Sequence, residues 1–223
     1  MKIPIDIHTH NVPPHPDEAI VNCSPEIFVP EKDAWYSIGI HPWSIAESYH
    51  GTVVEHALWK KLVEHVRNPQ VLAVGEAGID KLINVPIAIQ EDFFKEQARL
   101  ASDMNKPLII HAVKATDELL RLKKEINPSV PWIIHGFRGK AALATEYLRH
   151  GFYLSFGEKY QDEALHVVPL EKLFIETDES HVSVAQLYER AAFVYNISTE
   201  SLRKMVADNV KRVFFGAKSC LFR

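Results

Sequence analysis

Short apolar runs rich in β-branched residues alternate along the chain with longer segments whose apolar positions recur at threes and fours. The first kind reads as buried strands and the second as amphipathic helices. Strands are predicted around Ile3–Ile7, Ala19–Cys23, Ala34–Ile40, Val71–Val74, Leu108–Ile110, Trp132–Ile134, Phe152–Phe156 and Leu173–Ile175. Helices are predicted over Val53–Arg67, Ile87–Asn105, Thr116–Glu125, Ala141–Arg149, Val182–Tyr195 and Thr199–Phe215, the last opened by Ser198 as a cap. No helix-length period fits between the second and third strands, where the crossover shrinks to Pro25–Asp33. Eight strands mostly separated by helices predict an α/β fold, a parallel (β/α)8 TIM barrel formed as a single domain over residues 1–223. A doubly wound open sheet is the alternative that the missing helix keeps open.

The polar residues that interrupt this pattern fall at one kind of place. The first strand ends in His8-Thr9-His10, and residues two apart in an extended chain point to the same side. Later strands close on Glu76, His111, His135 and Asp178. In a parallel barrel all of these ends share one face, where active sites of such barrels gather. Taken singly, each has a plainer reading: a hydrogen-bonded strand-end histidine, Glu76 paired with Lys81, Asp178 capping the next helix. Six imidazoles and carboxylates recurring at five strand ends favour a metal centre, and they suffice for two divalent ions if one carboxylate is shared. His50, His56, His65, His150 and His166 read as surface residues, whereas His15 and His181 fall in loops on the ligand-bearing face.

Composition narrows the remaining classes. Apolar residues make up 47% and charged residues 24% of the 223, which argues against disorder. A formal net charge of -4 gives no basic surface of the kind that long duplex nucleic acid selects. Cys23 and Cys220 form no disulfide framework, and neither a signal-like stretch nor a membrane-spanning run stands out. A reducing, cytoplasmic setting without membrane association is therefore expected.

Asp6-Ile7-His8-Thr9-His10, Gly39-Ile40-His41-Pro42, Val74-Gly75-Glu76-Ala77-Gly78-Ile79-Asp80, Gln90 through Phe94, Gln97 to Ala101, Pro107 to His111, His135-Gly136-Phe137-Arg138-Gly139, Glu176-Thr177-Asp178 and Asn209 to Phe214 follow one another in an order that resembles the TatD family of metal-dependent deoxyribonucleases. The resemblance covers nearly the whole chain. It implies that His8, His10 and Asp178 bind one metal, that Glu76 bridges two, and that His111 and His135 hold the second. It also implies hydrolysis of DNA phosphodiesters, in single strands and from an end, with two divalent ions activating a water and steadying the departing alkoxide. Asp178 would take the proton of that water. The ligand chemistry admits Zn, Mn, Ni or Fe, and Mg less naturally.

The chain departs from the family's pattern at its rim. Trp43 stands where a second histidine usually follows the Gly-x-His-Pro motif, Val113 and Lys114 replace an arginine after the fifth-strand histidine, and Glu179-Ser180 replace a proline. The first crossover helix and the long polar loop after the last strand are also short. The metal ligands are untouched, so the changes bear on substrate. Arg138 through its planar fork, Lys114 or Lys81 as point charges, and His41 are candidates for holding phosphate, and Trp43 for stacking a base. Competing readings are an amidohydrolase-type barrel acting on a small ester, lactone or phosphate, and a metal-binding barrel without catalysis.

Overall fold

The computed structural model describes residues 2–48 and 56–216. Its elements, in chain order, are β1 Asp6–Thr9, β2 Ala19–Cys23, β3 Trp35–Ile38, α1 Pro42–Ser48, α2 His56–His65, β4 Val71–Asp80, α3 Ile87–Asp103, β5 Leu108–Val113, α4 Thr116–Ile126, β6 Trp132–Ile134, α5 Ala141–Arg149, β7 Tyr153–Phe156, α6 Asp162–His166, β8 Leu173–Ile175, α7 Val184–Tyr195 and α8 Thr199–Val210. The eight strands form one sheet in the order β1 to β8. This is the (β/α)8 arrangement that the alternation of apolar patterns predicts. His50, Cys220 and the first residues of the helix expected over 53–67 lie outside the described residues. No described helix is long and apolar enough to cross a membrane.

Packing divides the chain into two compact units. The first comprises the residues up to Val21, Glu31–Trp35 and those from Ile133 onward. Within it β1 meets the segment leaving β8: Asp178 N donates to His8 O (2.9 Å) and His10 N to Asp178 O (3.1 Å). First and last strands are thereby joined at the end where the candidate ligands lie. Ser183 caps α7 in a capping box with Gln186, so Asp178 is not the cap of that helix. Tyr188 on α7 donates to Ile5 O (2.7 Å), and Asn209 on α8 donates to Leu170 O (2.7 Å) and Leu173 O (3.0 Å). Buried side chains thus tie both helices to strands that carry ligands. Beyond Val210 the helix widens into a π-helical turn, Lys211–Phe215, whose Phe215 meets Trp35 edge-on.

The second unit comprises Asn22–Pro30 and Tyr36–Trp132. All ten residues of β4 are buried, and it runs through the Gly75-to-Asp80 segment that the apolar pattern alone leaves outside the strand. Glycine permits this. A Cβ on Gly78 would lie 2.0 Å from the His111 carbonyl oxygen, and one on Gly75, at φ +131°, would lie 2.5 Å from that of Ile109. Only strands without side chains at these points can lie so close. On α3, Phe94, Ala98 and Ala101 are fully buried, and Phe94 meets Trp132 edge-on with centroids 5.1 Å apart. Between β2 and β3 no helix forms, as the residue pattern anticipates.

Two buried glutamines on the same face of α3, seven residues apart, do what strand neighbours do elsewhere. Gln97 accepts from Ile40 N (2.7 Å) and donates to Ile40 O (3.0 Å). Gln90 accepts from Asp80 N (2.8 Å) and donates to Asp80 O and Val85 O (both 3.0 Å). Each satisfies backbone polar groups where regular strand pairing gives out, and each does so beside a residue of the candidate site.

Candidate functional site

In the first unit β1, β6 and β8 deliver the predicted ligands to one place. His8 is fully buried, with Nε2 3.9 Å from Asp178 Oδ1, and His10 Nε2 lies 3.7 Å from the same oxygen. The His8 and His135 rings are 4.3 Å apart at their centroids. His8, His135 and Asp178 each offer one ligand atom, and these lie within 4.8 Å of one another. Such spacings exceed hydrogen-bond length and suit a cation placed among the three. Asp178 itself has φ +55°, a left-handed conformation that aspartate tolerates and that its two backbone bonds to β1 hold in place.

Two carboxylates behind this cluster carry it. Glu176 is fully buried; its Oε1 accepts from Gly136 N (2.6 Å) and faces His135 Nδ1 (3.3 Å). Burial pushes its pKa up, but bonding to His135 and the His135 and His8 rings outweigh that, and it falls below the usual carboxylate range. An ionised Glu176 favours the proton on His135 Nδ1 and makes Nε2 the nitrogen suited to a metal. Asp6 accepts from Thr177 N (3.0 Å), Thr177 Oγ1 (2.7 Å) and His8 N (3.4 Å), while burial raises its pKa to about 7. It braces the backbone on both sides of the cluster. Beside Asp178 opens a cavity of about 320 Å³ lined by Arg138, Lys159 and His181 among others. Arg138 Nη2 is 3.7 Å from Asp178 Oδ2.

A second cluster lies in the other unit. Glu76 Oε1 is 2.8 Å from His111 Nδ1 and 3.1 Å from His41 Nε2, with the two rings 4.4 Å apart. Asn22 holds Glu76 twice, accepting from its backbone N (2.9 Å) and donating to Oε2 (3.3 Å). The other nitrogen of His111 faces Asp80 Oδ2 at 3.4 Å. Asp80 also accepts from the Trp43 indole Nε1 (2.9 Å) and from Leu82 N (2.8 Å). Burial acts to raise the Asp80 pKa, and these bonds together lower it. The ionised carboxylate orients His111 so that Nδ1 faces Glu76.

His41, taken from the sequence as a substrate contact, is thus placed with Glu76 and His111 in a group whose ligand atoms lie within 4.8 Å of one another. Trp43, in the first turn of α1, and Lys114, just after β5, are exposed, and Lys114 has φ +54°. Lys81 pairs with Glu118 rather than with Glu76. Sequence reasoning left Glu176, Asp80, Asp6 and Asn22 without roles. For Glu176 and Asp6 the signal was present: each stands two residues before a candidate ligand and so shares its side of the strand.

The two clusters combine imidazole and carboxylate, the donor chemistry of a divalent transition metal, on a barrel of parallel strands. A family model described as TatD related DNase matches residues 25–215. The chain belongs to that family. Among its TatD relatives, a Bacillus subtilis protein named as a metal-dependent hydrolase, YabD, is 31% identical over 83% of this chain and 80% of its own length. The Escherichia coli 3'-5' ssDNA/RNA exonuclease TatD is 28% identical over 66% of this chain and 58% of its own. The crystal structure of YjjV, a TatD homologue from E. coli, superposes with a TM-score of 0.81 at 19% identity, covering 95% of this chain and 98% of the other, and agrees in fold. As a TatD-family chain, this protein is a metal-dependent hydrolase.

Proposed function

We propose that this hydrolase cleaves the phosphodiester bonds of single-stranded DNA from an end, with two divalent ions held by His8, His10, Glu76, His111, His135 and Asp178. The reading rests chiefly on the two histidine–carboxylate groups, each with its ligand atoms within 4.8 Å, in a chain of the TatD related DNase family. Divalent ions held by these residues would supply positive charge to a phosphoryl oxygen and would lower the pKa of a water. They also give the acidic chain the attraction for nucleic acid that its own charge lacks.

The protein's groups have distinct tasks in this scheme. Asp178, 21% exposed at its side chain, is reachable by solvent and takes the proton of the attacking water at a carboxylate oxygen. Arg138, beside its other oxygen, binds a phosphate oxygen of the substrate and limits charge repulsion as the chain approaches. Glu176 and Asp80 each hold one nitrogen of a histidine so that the other is aimed, while Asn22 keeps Glu76 from turning. A cytoplasmic setting is part of the same proposal, consistent with the free thiol of Cys23.

The test is incubation of end-labelled single- and double-stranded oligonucleotides with Mg, Mn or Zn supplied in turn, with Asp178→Asn as control. A metal-dependent ladder from one end, faster on single strands and absent in the variant, is expected. Intact DNA alongside metal-dependent turnover of a small ester or phosphate would transfer the proposal to that substrate class.

A further inference from the structure

Two large apolar residues bonded to Asp80, at the end of β4, are exposed. Trp43 is 54% exposed and Leu82 is 67% exposed. Both are fastened to one buried carboxylate. Asp80, 3% exposed, accepts from the Trp43 indole N–H through Oδ2 and from the Leu82 backbone N–H through Oδ1. Trp43 is held a second time where its backbone N–H donates to His41 Nδ1 at 3.1 Å.

These bonds fix more than position. With the indole N–H engaged inward, the part of the ring left to solvent is hydrocarbon, and a ring anchored at its edge loses little freedom when something lies on its face. The ring stands 5.0 Å from that of His41 and 6.2 Å from that of His111, near perpendicular to the first. An aromatic surface is therefore exposed directly beside candidate metal ligands.

We infer that Trp43, pinned through Asp80 and His41, forms a fixed aromatic platform that seats one nucleobase of the substrate next to the His41–Glu76–His111 group. The inference rests on the phosphodiesterase reading and adds to it what the enzyme recognises: the base, by its face, and so without regard to sequence. Every base has a π-face, which makes such a platform tolerant of sequence while selective for unpaired nucleotides. In duplex DNA that face is already covered by its neighbours.

The test compares a single-stranded oligonucleotide with one of equal length whose terminal residues are abasic, using wild type, Trp43→Ala and Trp43→Phe. Wild type should prefer the base-bearing strand in kcat/KM by about 5- to 150-fold, the range expected of one base–aromatic stack. Trp43→Ala should reduce that preference to within about 2-fold, and Trp43→Phe, which retains an aromatic face, should keep most of it. Metal-free protein supplies a readout independent of turnover. The base-bearing strand should quench indole emission, the abasic strand should not, and Trp43→Phe should abolish the difference. A Trp43→Ala variant that discriminates as wild type does, or equal quenching by both strands, would overturn the platform. If wild type cleaves neither strand, the phosphodiesterase reading fails, while the quenching comparison still decides whether Trp43 seats a base.

Discussion

Gln97→Leu offers the sharpest structural test of how the site is held. Leucine has a similar volume and a good helix propensity, so α3 should persist. What disappears is the pair of bonds to Ile40, at 2.7 Å and 3.0 Å, one residue before His41. Gln97 is 1% exposed and Ile40 is 1% exposed, so water cannot replace the lost partner. Each buried backbone group left unsatisfied costs roughly 1–3 kcal/mol, giving about 2–6 kcal/mol for the two. Apolar contacts of the new side chain offset part of this, and a net loss of about 2–4 kcal/mol is expected. Urea unfolding followed by circular dichroism measures it as a lower midpoint at unchanged slope. Because the freed strand end leads directly into His41, metal-dependent turnover should also fall under conditions where the variant remains folded. A stability change below about 0.5 kcal/mol would refute the claim that α3 completes the hydrogen bonding of this strand end.

Other sites yield expectations of different kinds. Gly78→Ala places a Cβ where 2.0 Å separates it from the His111 carbonyl oxygen, so β4 and β5 must part; a thermal melt should show a loss above about 2 kcal/mol, with weaker metal retention. Glu176→Gln removes the charge that favours the proton on His135 Nδ1, and competition with a chelator should reveal a metal affinity about 10- to 100-fold lower with the fold intact. Burial raises the Cys23 thiol from 9.0 to about 11, so at a pH below both values its thiolate is roughly 100-fold scarcer than that of an unperturbed thiol. In a Cys220→Ser background, iodoacetamide labelling near pH 8 should accordingly be slow in the native protein and fast after unfolding.

The sequence was most legible where side-chain periodicity and chain punctuation agreed. Trp132–Ile134 and Ala141–Arg149 have the expected bounds because Pro128, Pro131 and Gly151 leave little freedom at their ends. The ligand-bearing strand ends were visible because an apolar run followed by a histidine or carboxylate is a pattern of neighbouring residues. Pro42–Ser48 and Asp162–His166 were not read as helices, since so few turns display no apolar period. Strand β4 appeared to stop at Val74 because glycine is a common breaker. In the fold, Gly75 and Gly78 instead allow β5 to approach, and the strand continues to Asp80. Which groups support the ligands depends on contacts between distant parts of the chain, such as Asn22 with Glu76 or Gln90 with Asp80, and no local pattern announces them.

The central claim is that turnover depends on divalent ions held by the named histidines and carboxylates. Its most direct test is to strip the protein with chelator, reload it in steps, and measure bound metal by elemental analysis and oligonucleotide cleavage on the same samples. The account predicts no cleavage by the stripped protein, activity that rises with occupancy up to two ions per chain, and reduced occupancy in His8→Ala and His111→Ala. Cleavage by the stripped protein at the reloaded rate, or unchanged metal content in both variants, would contradict it.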